Sequence, residues 1–291
     1  MRITQRSMQF GVDQNLQKAL ARVQDLQEKL SSGKQIEKPS DGPASTVAAL
    51  RYRADLRRAD QLKRNADDAS GWLDTTDQAL TGGIEILNRA RELLLQGVNG
   101  SMSTSDRAAI AEEIDGLRTS ALAVANTTYL GRPIFSGTST STTAYDPSGT
   151  YIGDAGQVAR TVGTGVSVRA NLTGPEAFGP SGSDVFSVLA GIADHLRNDP
   201  SQLQGDITAL DTSFTRMTNA VAGIGARSTQ VSSTRDRVDA SIVSSTNALA
   251  EVESVDLPGT ITQLSLQQVA YQAALSATAK VIQPSLVDFL R

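Results

Sequence analysis

From Leu203 to Val252 a single rhythm runs without a break. Positions 203, 207, 210, 214, 217, 221, 224, 228, 231, 235, 238, 242, 245, 249 and 252 step by four and three, and twelve of the fifteen are apolar. Ser228, Arg235 and Ser245 are the exceptions. A seam that repeats every 3.5 residues lies along one side of a helix and needs a partner helix to cover it. Fifty residues of helix span about 75 Å at about 1.5 Å per residue. This one feature therefore excludes a small round fold and predicts long helices packed side by side. Gly223 and Gly225 predict a local kink, and Pro258 ends the rhythm. Aromatic residues make up 4% of the 291 residues, which is poor material for a large α/β core and fits long helices with small contacts.

Both ends of the chain carry shorter seams of the same kind. Near the N-terminus Leu16, Leu20, Val23 and Leu30 recur at helical spacing, with Gln27 in the missing place. Near the C-terminus Leu257, Ile261, Leu264, Tyr271, Leu275 and Ile282 keep one phase, and Leu286, Phe289 and Leu290 follow. Chain ends are usually polar and frayed. Apolar stripes at both predict that the ends join each other and then neighbouring subunits, so these twelve residues, Leu257 aside, are the candidate assembly interface. Residues 1–64 carry 13 Lys and Arg against 7 Asp and Glu, and residues 236–291 carry 3 against 6, so charge also favours pairing of the ends, modestly in salt.

Between the ends, residues 5–31 read as one amphipathic helix, and residues 33–43, with Pro39, Asp41, Gly42 and Pro43, as a non-helical linker. A second helix runs to about residue 99 on Leu73, Leu80, Ile84, Leu87, Leu94 and Val98, with Gly82 and Gly83 as a possible bend. Ser103, Thr104 or Ser105 caps a third helix on Ile110, Ile114, Leu117, Ala121 and Val124, with Gly131 as its stop. Residues 136–183 change character: half of the 48 are Gly, Ser or Thr, and five are charged. Val158–Val162 and Val166–Leu172 alternate around Gly163-Thr164-Gly165, which signals a hairpin and a β-rich insertion.

Chemistry finds little support. The chain has no Cys and a single His, so it has no thiolate, disulfide or spaced metal-ligand set. His195 lies near a helix end beside Asp194, a place the helix dipole alone favours for histidine. Glu112, Glu113 and Asp115, and likewise Asp67 and Asp68, read as solvated helix faces. Gly163-Thr-Gly165 lacks the third glycine of a dinucleotide loop, since Val168 stands there. The basic run Arg51, Arg53, Arg57, Arg58, Lys63 and Arg64 is diluted by Asp55 and Asp60 and has only Tyr52 for stacking. It reads as a solvated face or a subunit contact, not a nucleic-acid site. No cofactor is expected. The first 30 residues hold no apolar run of the secretory type, and no segment approaches a membrane span.

Specific residues then carry a resemblance. Met1-Arg-Ile-Thr opens the chain, Ser31-Ser-Gly-Lys34 ends the first helix, and Pro39-Ser-Asp41 follows. Arg64-Asn65, Trp72-Leu73, Asn88-Arg-Ala-Arg-Glu92, Asn126 and Gly131-Arg-Pro-Ile-Phe-Ser-Gly137 come in order, then Gly225-Ala-Arg227 and Ser285-Leu-Val-Asp-Phe-Leu290. Across nearly the whole chain, with looser matching over 138–200, this resembles the flagellin superfamily. Pro39-Ser-Asp41, Phe135-Ser-Gly137 and the ending resemble its junction branch, whose members stand between hook and filament. Gly42 departs from that pattern, where a second Asp is common, as do Pro133 and Pro258.

The resemblance implies a mainly α fold: an elongated flagellin-like rod of long antiparallel helices with paired terminal coiled-coil helices and a small β-rich insertion. It implies a terminal assembly domain from residues 1–40 and 255–291, a helical rod domain from 41–135 and 184–254, and an outer insertion at 136–183. It implies a structural role without enzymatic activity, export through the flagellar secretion channel, and a place outside the cell at the hook–filament junction. The implied partners are the preceding hook-associated protein, flagellin, further copies in a ring, and a cytoplasmic export chaperone at the C-terminal helix, with no nucleic acid and no membrane. Arg89, Glu92 and Gln96 lie in a segment resembling the part of flagellin seen by an animal innate immune receptor, where packing between subunits is the plainer reading. Flagellin itself, and a secreted adhesin or enzyme on a flagellin-like scaffold, stand as alternatives.

Overall fold

The computed structural model describes residues 5–282. Seven helices carry the fold: α1 Gln5–Ser32, α2 Pro43–Gly97, α3 Thr104–Ala125, α4 Gly174–Phe178, α5 Val185–Asn198, α6 Leu203–Glu253 and α7 Leu257–Ile282. Two antiparallel two-stranded sheets accompany them, β1 Thr128–Tyr129 with β2 Arg132–Pro133, and β3 Ala159–Gly163 with β4 Val166–Arg169. The chain forms two compact units. One comprises the residues up to Arg57 and from Ile242 onward, the other Arg58–Ser241. The divide falls inside α2 and α6.

The larger unit is organised by two stripes with a step of seven. On α6 Leu203, Leu210, Met217, Ile224, Val231 and Val238 are buried, and on α2 Ala59, Ala66, Leu73, Leu80, Leu87 and Leu94 are. The alternate seam positions on α6, such as Ile207, Phe214 and Val221, are only partly covered and pack against this core. Each buried large side chain contributes about 1.5–3 kcal/mol before ordering costs. Three ion pairs along the rim set the register: Lys63–Asp239 at 2.6 Å, Asp67–Arg235 at 3.1 Å and Arg91–Asp211 at 3.0 Å. They step down α2 as they step up α6, so the two helices run antiparallel. Neither helix breaks at its glycines. Both pass Gly82-Gly83 and Gly223/Gly225 as continuous helix, because a helical glycine costs only about 1 kcal/mol and the flanking buried residues outweigh it.

α3 lies against α5. Ser103 caps α3 by accepting from the Asp106 amide, and the buried stripe is Ile110, Ala111, Ile114, Ala121 and Ala125. The helix stops at Asn126, before the expected Gly131. Gly131 instead joins Leu130 in the two-residue β1–β2 turn, with φ of +77° and +48° respectively, the geometry of a tight hairpin. The second hairpin falls where alternation placed it, with Gly165 at φ +72° in its turn.

Residues 136–183 contain no strand beyond β3 and β4, only an isolated bridge between Tyr145 and Tyr151, and they share the core of the helices. Ala144, Tyr145, Val162, Val168, Leu172 and Phe178 belong to one buried cluster with Leu189 and Met217. The scarce aromatics concentrate here: Phe135–Phe178, Tyr145–Phe178 and Tyr145–Phe186 meet edge to face at 5.0, 5.8 and 4.8 Å. Such pairs add about 0.5–1.5 kcal/mol each beyond burial. The irregular backbone is held by side chains. Asn126 Oδ1 accepts from the Ala144 and Tyr145 amides at 2.8 and 2.9 Å, and its Nδ2 donates to the Tyr145 carbonyl at 3.0 Å. Asn171 bridges Val158 and Gly156 in the same way. Replacing Asn126 with alanine strands these groups, so Asn126→Ala should lower unfolding stability by about 2–4 kcal/mol. Urea denaturation checks this: the midpoint should fall with an unchanged slope.

Candidate assembly surface

α1 and α7 pack on one another, and their buried and half-buried positions explain how. On α1 these include Val12, Leu16, Ala19, Val23, Leu26 and Leu30, and on α7 Thr260, Leu264, Gln267, Tyr271, Ala274 and Thr278. Both sets step by four and three, as facing coiled-coil stripes must. The helices run in opposite directions. Arg22, Asp25, Leu26 and Lys29 line one groove with Gln263, Leu266 and Gln267, and the C-terminal end of α1 meets the segment before α7. There the Gln35 amide donates to the Glu253 carbonyl at 2.8 Å and the Val255 amide to the Gly33 carbonyl at 3.1 Å. Arg53 adds an ion pair to Glu253 at 2.7 Å. The stripe on α7 is thin, since Thr260, Gln267, Ala274 and Thr278 supply little apolar area, so Leu264 and Tyr271 carry most of the contact.

The structure divides the candidate interface. Val23 is buried, and Leu16, Leu30, Leu264 and Tyr271 are half-buried in the α1–α7 contact. Leu20, Ile261 and Leu275 sit on its flanks at 41%, 53% and 43% exposure. Ile282 is the last residue of α7, and Leu286, Phe289 and Leu290 lie outside the described residues. Leu26, not Gln27, fills the missing position on α1. The sequence reading also passed over Leu266, 67% exposed at the edge of the α1–α7 groove, and Val269, 65% exposed on the opposite side of α7. Exposed Ala270, Ala273 and Ala277 share that side at helical spacing. A signal existed: Leu257–Ala279 contains no charged residue, so no solvated face is marked on this helix. Phe10 on α1 is 69% exposed.

In the linker, the Asp41 carboxylate accepts from the Lys38 and Glu37 amides at 2.9 and 3.1 Å. These two bonds, Lys38 first, hold its pKa below the usual aspartate value. The side chain therefore stays ionised and closes the turn Pro39–Asp41.

Residues 3–140 match the family model of the bacterial flagellin N-terminal helical region, and residues 207–290 match that of the bacterial flagellin C-terminal helical region. The chain belongs to the flagellin family. Family members are structural flagellar proteins. Flagellar hook-associated protein 3 of Escherichia coli K12 is 26% identical over 276 residues, covering 86% of this chain and 87% of its own. Flagellin A of Vibrio anguillarum is 35% identical over 116 residues, but this covers 40% of the chain and 31% of that flagellin. The crystal structure of the flagellar junction protein FlgL from Legionella pneumophila shares the fold with a TM-score of 0.61 at 15% identity, over 71% of this chain and all of that one.

Within this flagellin-family chain the other candidate residues have structural partners. His195 Nδ1 lies 2.8 Å from Asp206 Oδ2. Arg197 pairs with Glu112 and Asp115, and Arg89 with Glu113 and Glu92. Asp68 pairs with Arg160 at 2.7 Å. In the basic run, Arg53 and Lys63 serve the ion pairs to Glu253 and Asp239. Among the described residues no group of acidic, His or Cys side chains is placed to hold a metal, and no helix is long and apolar enough to cross a membrane. Pro258, which departs from the family pattern, sits in the first turn of α7, where a missing amide hydrogen costs nothing.

Val23 is a buried apolar side chain at the centre of the terminal pair, so a charge there cannot be accommodated. Val23→Asp should abolish hydrogen-exchange protection of α1 and α7 while leaving protection of α2, α3 and α6 within Arg58–Ser241 unchanged.

Proposed function

We propose that this chain is a structural adaptor of the bacterial flagellum that joins the hook-associated zone to the flagellin filament. The observation that carries this reading is the extent of the matches. The match to the hook-associated relative covers 86% of this chain and 87% of that protein, whereas the match to flagellin A covers 40% of this chain and 31% of that flagellin. Physics supports an assembly role. α1 and α7 spend one stripe on each other, yet α7 keeps an uncharged side holding Leu266 and Val269. Isolated helices of this length are marginal in water, and a neighbour that buried this side would add about 1.5–3 kcal/mol per large residue.

In this proposal copies form a ring on the preceding hook-associated protein, and flagellin polymerises onto the ring. Residues 1–40 and 255–291 make the inner assembly domain, 41–135 and 184–254 the helical domain, and 136–183 its outward part. Leu20, Ile261, Leu275, Ile282, Leu286, Phe289 and Leu290 meet neighbours, together with Leu266 and Val269. The chain leaves the cell through the flagellar export channel, and a cytoplasmic chaperone covers its C-terminal helix beforehand.

Cells lacking the chain should carry hooks without filaments and release flagellin into the medium. The wild-type chain should restore filaments. A Leu275→Asp, Val269→Asp double variant should fail to restore them, although its thermal unfolding matches wild type. Filaments in the absence of the chain would contradict the adaptor role, and full rescue by the variant would contradict the interface.

A further inference from the structure

The short connection between α2 and α3, residues 98–103, holds an asparagine unlike the others in the chain. Of nine asparagines, only Asn99 is followed by glycine. Asn65, Asn88, Asn219 and Asn247 lie inside α2 and α6, where helical hydrogen bonds hold the next residue's amide. Asn126 and Asn171 use both ends of their side-chain amides on backbone groups. Asn198 donates to Asp194 at 2.7 Å. Asn99 and Gly100 are both exposed and outside any helix. Among the described residues neither the Asn99 Nδ2 nor the Gly100 amide donates a hydrogen bond.

Those two groups are the leaving group and the nucleophile of an intramolecular reaction. The Gly100 nitrogen attacks the side-chain amide carbon of Asn99 and gives up its proton. The bond from that carbon to Nδ2 breaks, and Nδ2 departs as ammonia, leaving a five-membered imide. Water then opens the ring. Opening at the side-chain carbonyl gives aspartate. Opening at the main-chain carbonyl gives isoaspartate, in which the main chain runs through the side-chain carbons. The balance is one water in and one ammonia out, with no oxidant or cofactor.

The local structure favours each step. The reacting atoms belong to adjacent residues, so no encounter is needed. Gly100 carries no side chain to hinder the attack, and nothing stands within 4 Å of the place one would begin. Its backbone is free to turn toward the imide geometry. Asn99 Oδ1 accepts from the Ser101 amide at 3.2 Å and from the Ser101 hydroxyl at 2.9 Å. Both donors point at the oxygen that gains negative charge as the carbon is attacked, the arrangement that stabilises an oxyanion. Exposure lets ammonia leave and water enter.

We propose that Asn99 is a self-modification site, converted by the Gly100 nitrogen and water to a mixture of aspartate and isoaspartate, with Ser101 as the oxyanion donor. The site joins two helices, so the two products differ in effect. The Asn99 carbonyl accepts from the Met102 amide at 3.1 Å and from Arg107 Nη2 at 3.4 Å, while Arg107 Nε reaches the Gly97 carbonyl at 3.3 Å. Aspartate keeps that carbonyl in place and sets a negative charge just ahead of α3, where the helix dipole favours it. Isoaspartate lengthens the main chain by one carbon and takes the carbonyl out of it, which loosens the α2–α3 joint.

The purified full chain is incubated in oxygen-18 water at neutral pH and physiological temperature, and each asparagine is followed by peptide mapping and mass spectrometry. A synthetic peptide of the Val98–Met102 sequence serves as the unstructured reference. Asn99 should convert before any other asparagine, take up oxygen-18, and give two products of equal mass that separate by chromatography. Gly100→Ala should leave Asn99 intact over the same period. Ser101→Ala should slow conversion about fivefold, the effect of one exposed hydrogen bond. In the isoaspartate product the Met102 amide should exchange its hydrogen faster. An Asn99 that stays intact while the peptide converts completely, or that converts after another asparagine, would overturn the proposal. An unchanged rate in Ser101→Ala would overturn the part given to its hydroxyl.

Discussion

Most of the stability of a helix in a protein comes from packing of its apolar face and not from propensity, and the larger unit follows from how two helices of about fifty residues are covered. α2 and α6 each bury a stripe that repeats every seven residues, small Ala59 and Ala66 and then leucines on α2, and Leu, Met, Ile and Val on α6, and α2 also buries Ala69, Trp72, Ala79, Ala90 and Leu93. The ion pairs at the rim are half exposed and contribute little to stability, but they fix the antiparallel register. With the register set, the short elements and the aromatic cluster around Phe135, Tyr145, Phe178 and Phe186 close over the α3–α5 pair.

The terminal helices obey the same rule with weaker material. Leu16, Val23, Leu26 and Leu30 of α1 meet a stripe on α7 in which only Leu264 and Tyr271 are large. The short ladder between Gly33–Gln35 and Glu253–Val255 anchors the end of α1 beside the start of α7. A pair held this lightly, with Val269 and three alanines facing away and Leu266 exposed at the groove edge, gains from further burial. A flagellin-family chain built to polymerise needs that property. A soluble enzyme would gain only an aggregation hazard from it.

Much of this was legible because helical periodicity is a strong signal. The extents of α1, α2 and α6 follow the sequence seams within a few residues, and Ser103 caps α3 as its side-chain chemistry demands. The misreadings have physical reasons. Leu16, Val23 and Leu30 belong to two possible heptad phases, one through Leu20 and Gln27 and one through Ala19 and Leu26. The apolar Leu20 favoured the first, whereas packing chose the second. Glycine pairs suggested kinks that flanking burial suppresses. Within residues 136–183 only the β3–β4 hairpin was legible, because the rest is ordered by Asn126, Asp154 and Asn171 binding backbone groups, and such bonds leave no periodic trace.

The central claim is a place between hook and filament, and immunogold electron microscopy of intact flagella with antibody against residues 136–183 tests it most directly. The account predicts label confined to one narrow band where the filament meets the hook. Label along the whole filament would make the chain a flagellin, and unlabelled flagella with the protein free in the medium would contradict any junction role.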